Sequence, residues 1–225
     1  MNWTTHSVRM SYPASQTERS RVVTAAIPDS LSETTQVIYC ADGQVVERLV
    51  QAMEIVQPVH KPVLIGVYSE ERLRAEEYLY PREPAYLAHE SFFVHTVRRW
   101  AAERFSVSMA RENSTVFGFS NGGAFAITVA LRNALSFSSV IAFSIPPFPS
   151  LPALADLMPK PVVYLSAGNQ GPEKVIRKNV DKLAKQLQRS DIHVTLTHRQ
   201  AGHEMGFWIR EFVLAVNWLN ADIAT

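Results

Sequence analysis

Short apolar runs alternate with longer amphipathic ones along the chain. Residues 21–28 (RVVTAAIP) read as an early strand, paired with the segment around residues 7–12. Residues 36–41 (QVIYCA) form a compact β-branched run that stops at Asp42-Gly43, a turn signal. From 45 to 56 the apolar positions Val46, Leu49, Val50 and Met53 recur at helical spacing. Residues 62–68 (PVLIGVY) are the next strand, followed by a charged, irregular segment over 69–84. The helical period returns over 86–105, with Phe92, Phe93, Val97, Trp100 and Ala101 on one face. Residues 114–120 (STVFGFS) read as a strand and 124–131 (AFAITVAL) as the start of a buried helix. Two more apolar strands fall at 139–145 and 161–166. They are followed by an amphipathic helix at 175–187, an edge strand at 193–200 and a closing helix at 207–219.

Strands that are apolar on both faces, alternating with helices, predict a mostly parallel sheet covered on both sides. Open sheets of this kind bind ligands beyond the carboxyl ends of their strands. Functional residues are therefore sought just after a strand.

Composition narrows this further. The 225 residues fit one large domain, taken as 1–225, or at most two small ones, and need no disulfide or metal to be stable. A net charge of +1 argues against an electrostatically driven partner, so neither nucleic acid nor membrane is expected. Cys40 is the only cysteine, which excludes an intrachain disulfide and suits a reducing compartment. No apolar h-region opens the chain, and no run approaches the ~20 apolar residues of a membrane span. A soluble, cytoplasmic protein is expected.

One stretch lies where the chemistry should be. In VFGFSNGGAFA, Ser120 follows a strand, precedes a helix and stands between Gly118 and Gly122. A nucleophile elbow holds its serine in strained backbone geometry and needs small neighbours two residues away on each side. The helix start also offers backbone N–H groups, Asn121 first, to a developing oxyanion. The competing reading is a glycine-rich connection without chemistry.

A serine needs a base, expected to be a histidine after a later strand with a carboxylate between the two in chain order. His6, His60, His89 and His95 precede Ser120, while His193 and His198 lie within the last strand. His203, in RQAGHEMGFW, falls just past that strand. Glu173, in GNQGPEK, is the only acid in the right loop, although a glutamate there also suits a helix N-terminus. A second oxyanion donor would come from the turn in YCADGQ, through the N–H groups of Gly43 and Gln44. No phosphate-loop or dinucleotide glycine motif occurs, and the spacing of His193, His198 and His203 suits no metal site. Cys40 reads as a buried strand residue.

In this order the motifs resemble the esterase family of α/β-hydrolases that includes the enterochelin esterases, esterase D and the feruloyl esterase modules. The resemblance runs over about residues 35–219. It is carried by the YCADGQ turn, by Arg74, Glu77 and Tyr78 in the segment after PVLIGVY, and by RRWAAERF. The elbow through Gly123, then Gly202, His203 and Trp208 in AGHEMGFW, complete it. The resemblance implies an α/β-hydrolase fold, a three-layer sandwich. Ser120 would be its nucleophile and His203 its base, with Asn121 and the Gly43-Gln44 turn as oxyanion hole. Arg74 and Glu77 would line the pocket mouth or brace its loop. Family members place the acid where Gly171 stands, so Glu173, two residues on, implies either a small insertion or a Ser-His dyad.

The expected activity is hydrolysis of a small-molecule carboxylic ester through an acyl-enzyme, with no metal or organic cofactor. The proline-rich loop 145–152 (IPPFPSLP) is a candidate pocket wall, with Phe148 favouring an apolar group. Two alternatives remain: a catalytically impaired hydrolase-fold binding protein, and an acyltransferase using the same Ser-His site. The final helix and residues 72–84 could support a homodimer.

Overall fold

A computed structural model describes residues 3–14, 17–81, 84–147, 151–154 and 157–222. Eight strands form one sheet: β1 (Trp3–Ala14), β2 (Thr17–Pro28), β3 (Val37–Cys40), β4 (Val63–Val67), β5 (Ser114–Phe119), β6 (Ser139–Phe143), β7 (Val162–Ala167) and β8 (Val194–His198). Their spatial order is β1-β2-β4-β3-β5-β6-β7-β8. The first two strands pair antiparallel, β2 meets β4 antiparallel, and every later neighbour is parallel. The α/β class read from the alternation is the observed one.

Every residue of β3, β4, β5 and β6 is buried, as continuous apolar runs require in a sheet covered on both faces. Helices α1 (Val46–Val56) and α7 (Met205–Asp222) cover one face, where Leu49, Met53, Phe117, Trp208 and Phe212 form one core. On the other face lie α2 (Arg74–Tyr78), α3 (Ala85–Ser91), α4 (Arg98–Phe105), α5 (Asn121–Arg132) and α6 (Glu173–Gln188). Tyr39, Phe93, Phe125 and Phe137 belong to that second core. The result is a three-layer α/β sandwich.

Two elements differ from expectation. The single helix over 86–105 is α3, a π-helical turn at Phe92–Val97, and α4. Phe92, Phe93, Val94 and Val97 are all buried. A 3.6-residue period does not hold four such positions on one inward face, and the wider π turn does. Within the charged segment 69–84, five residues form α2, with Glu77 and Tyr78 buried.

Candidate active site

Ser120 sits where β5 turns into α5, with φ 53° and ψ −130°. Such a conformation strains a residue that carries a Cβ and persists only where the surroundings over-determine it. Here Ser120 N–H donates to the Phe143 carbonyl at 2.9 Å, and its own carbonyl accepts from Gly123 N–H at 2.9 Å. The glycines make the turn sterically feasible. A Cβ on Gly118 would lie 2.1 Å from the Gly122 carbonyl oxygen, and one on Gly123 would lie 2.8 Å from the Phe143 carbonyl oxygen.

His203 lies between β8 and α7, and its Nε2 is 3.2 Å from Ser120 Oγ. Its Nδ1 is 2.6 Å from Glu173 Oε1. A buried carboxylate only accepts, so Nδ1 carries the proton and Nε2 is left free to accept from the serine. Glu173 is wholly buried at the start of α6, and its Oε2 accepts from Gly168 N–H at 2.8 Å. Gly168 lets the two loops close: a Cβ there would be 2.3 Å from the Ala201 carbonyl oxygen. That carbonyl in turn accepts from the N–H groups of Asn169 and Gln170.

Gly171, the position to which the resemblance points for an acid, has φ +52°, a conformation that favours glycine. Pro172 then precedes α6, and it is the Glu173 carboxylate at the start of that helix that reaches His203.

Trp208 closes the far side of the imidazole. Its ring stacks on Phe119 at 4.3 Å and stands perpendicular to the His203 ring at 4.8 Å. Its Nε1–H donates to Ser144 Oγ at 2.8 Å. Ser144, at φ 51° after β6, escapes sequence reasoning because nothing in SIPP signals a strained serine aimed at a tryptophan.

Residues 14–219 match the family described as "Putative esterase". The chain belongs to this esterase family. It is an esterase by class, and its fold is shared with solved esterase structures. A ferulic acid esterase superposes with TM-score 0.75 at 14% identity, covering 99% of this chain and 100% of that one. The enterochelin esterase of Shigella flexneri gives TM-score 0.74 at 16% identity, covering 95% of this chain but 57% of that one. The S-formylglutathione hydrolase of Staphylococcus aureus gives TM-score 0.69 at 13% identity, covering 96% and 99%. The chain thus spans little more than half of the enterochelin esterase. No match is found among curated proteins.

The other residues singled out in this esterase fall into two groups. Asp42, Gly43 and Gln44 follow β3, and Asp42 abuts the elbow, since a Cβ on Gly122 would lie 2.5 Å from Asp42 Oδ2. The Gln44 side chain is turned away to Ser69, donating to its Oγ at 2.7 Å. Arg74 donates to both Asp42 carboxylate oxygens, to Ser69 Oγ at 3.0 Å and to the Phe119 carbonyl at 3.4 Å. Burial works against its charge, but Asp42 beside it outweighs burial and holds the guanidinium protonated. Arg74 is therefore engaged by the protein around the turn. Glu77 has no exposed surface and hydrogen-bonds to Tyr12, Arg19 and Arg21. It does not line a pocket mouth. Asp42, read from sequence only as part of a turn, is the residue through which Arg74 reaches that turn.

Phe148 lies outside the described residues. Cys40 is fully buried, and burial pushes its thiol well above the usual range, so it offers no thiolate. Among the described residues no group of three or more His, Cys, Asp or Glu could hold a metal ion, and no helix is long and apolar enough to cross a membrane. A groove of about 640 Å³, lined by Ser32, Thr35, Gln36, His60 and Lys61 among others, lies at the amino ends of β3 and β4 and includes none of these site residues.

Proposed function

We propose that the chain hydrolyses a small-molecule carboxylic ester through an acyl-enzyme on Ser120, within a single domain. His203 Nε2 takes the Ser120 proton as Oγ attacks the ester carbonyl carbon, and the proton then passes to the departing alkoxide. Water, deprotonated by His203, attacks the acyl-serine carbonyl. The acid leaves, and the proton returns to Ser120. Glu173 holds the imidazole with Nδ1 protonated and balances the imidazolium that forms twice per turnover.

The developing oxyanion would be met by two backbone donors. Asn121 N–H is the first of α5, and the first N–H groups of a helix have no intrahelical acceptor. The other would come from the Gly43-Gln44 turn, which directly follows Asp42, the residue packed where Gly122 has no side chain. Such donors are each worth about 10²–10³ in kcat.

The observation that carries this reading is the chain of contacts Ser120–His203–Glu173, at 3.2 and 2.6 Å, on a serine with φ 53°. The contact between His203 and Glu173 supports a working site over an impaired one. Turnover of a p-nitrophenyl ester panel tests the proposal. Wild type should release p-nitrophenol and Ser120→Ala should fall to background. Equal rates for both would refute it. A carboxylic ester of the acceptor, formed in place of free acid when an alcohol is added, would mark an acyltransferase instead.

A further inference from the structure

The β1-β2 hairpin pairs over twelve positions, Trp3↔Pro28 to Ala14↔Thr17, yet β2 pairs with β4 through Val23–Ala26, with one further bond from Tyr68 N–H to the Val22 carbonyl. The distal half of the hairpin therefore projects past the sheet and lies over α2. There, three hairpin side chains converge on one oxygen of Glu77. Tyr12 Oη–H donates to Oε1 at 2.9 Å, Arg19 Nη1 at 2.8 Å and Arg21 Nη2 at 2.6 Å. A helix of five residues has too few internal hydrogen bonds to hold itself in place. Its position is set by what grips its side chains.

The same short helix holds the turn after β3 on its other side. Arg74 grips Asp42, and the Tyr78 hydroxyl donates to the Ala41 carbonyl. Tyr78 also stacks on Phe125 of α5 at 4.9 Å. We infer that Glu77 is a positioning residue: the hairpin anchors α2 through its carboxylate, and α2 in turn fixes the Ala41–Gln44 segment whose N–H completes the oxyanion hole. This rests on the acyl-enzyme reading above. Glu77 touches no substrate, and the hairpin, remote from Ser120 in sequence, becomes part of the catalytic scaffold.

The test compares wild type with Glu77→Gln, Tyr12→Phe and Leu187→Ala, the last a destabilised control in a buried part of α6. Readouts are kcat and KM on p-nitrophenyl acetate, the fluorophosphonate labelling rate, melting temperature, and hydrogen exchange of peptides covering residues 41–45. Glu77→Gln should lower kcat about 10–100-fold, a partial loss of one oxyanion donor, with KM within about threefold. Labelling should slow in parallel, and exchange at 41–45 should rise. Tyr12→Phe, which leaves the carboxylate and both arginines, should show the same pattern several-fold more weakly. Leu187→Ala should melt lower and keep its kcat and its exchange at 41–45.

An unchanged kcat in folded Glu77→Gln overturns the inference. So does a raised KM at constant kcat, or an equal kcat loss in Leu187→Ala. If Glu77→Gln does not fold, Tyr12→Phe decides, and wild-type kcat and exchange in that variant overturn it. A wild type that neither turns over nor labels defeats the acyl-enzyme reading instead. Exchange at 41–45 then still decides the clamp: an increase confined to the α2 variants supports it, and no increase overturns it.

Discussion

Glu173→Gln is the substitution whose effect the geometry specifies most closely. The side chain is fully buried, and its two oxygens have different partners: Oε1 faces His203 Nδ1 at 2.6 Å, and Oε2 accepts from Gly168 N–H at 2.8 Å. An amide keeps one acceptor. Turning its NH₂ toward Gly168 would set two donors against each other in a site without water access, so the oxygen stays there and the NH₂ faces His203. Nδ1 must then accept, which moves the imidazole proton to Nε2, 3.2 Å from Ser120 Oγ. An imidazole in that tautomer cannot take the serine proton. Loss of the correct tautomer costs about 10²–10⁴ in kcat in serine hydrolases, or roughly 3–5 kcal/mol of barrier. Steady-state kinetics on p-nitrophenyl acetate should show that loss in kcat, with KM within about threefold and the protein still folded by circular dichroism. A kcat loss below about threefold would refute the reasoning and leave a Ser-His dyad or another acid.

Three further outcomes follow from the same geometry. Ser120→Gly should melt above Ser120→Ala by about 1 kcal/mol of stability, since only glycine relieves the strain at φ 53° and both lack the nucleophile; equal melting temperatures would contradict a strained elbow. Gly118→Ala should cost about 3 kcal/mol or more, because its Cβ would meet the Gly122 carbonyl oxygen at 2.1 Å, and urea unfolding would show it. His89 is buried, and burial holds its pKa down to about 4 despite Glu77 nearby, so it is neutral and its 3.7 Å approach to Glu77 is not an ion pair at neutral pH. The unfolded chain takes up that proton near pH 6.5 and the folded one only near 4, so stability should fall between these values by about 3 kcal/mol in total from this group. His89→Leu should flatten the urea midpoint between pH 6 and 5, and an unaltered slope would contradict the assignment.

What could be read in the sequence was what local chemistry dictates. The β-branched runs announced β3 to β7, and the spacing Gly-x-Ser-x-Gly-Gly between a strand and a helix placed Ser120, because only small neighbours permit that turn. His203 was legible by its place after the last strand. The illegible parts depend on contacts between distant segments. Glu173 is ambiguous in sequence because it stands two residues beyond the position the resemblance implies, and its contact with His203 depends on how residues 30 positions apart are brought together. Glu77 and Arg74 read as lining the pocket mouth or bracing its loop, and their partners Tyr12, Arg19, Arg21 and Asp42, 32 to 65 positions away, are not legible from the segment that carries them. The turn at Phe92–Val97 widened because four apolar side chains had to face one core.

The central claim is that Ser120 is the acylated nucleophile, and the adduct itself tests it most directly. Wild type should be incubated with a fluorophosphonate, digested, and the modified residue located by tandem mass spectrometry, beside Ser120→Ala and His203→Ala. A single adduct on Ser120, absent from Ser120→Ala and slowed at least a hundredfold in His203→Ala, is the predicted result. Labelling at another serine, or none with a folded protein, would contradict it.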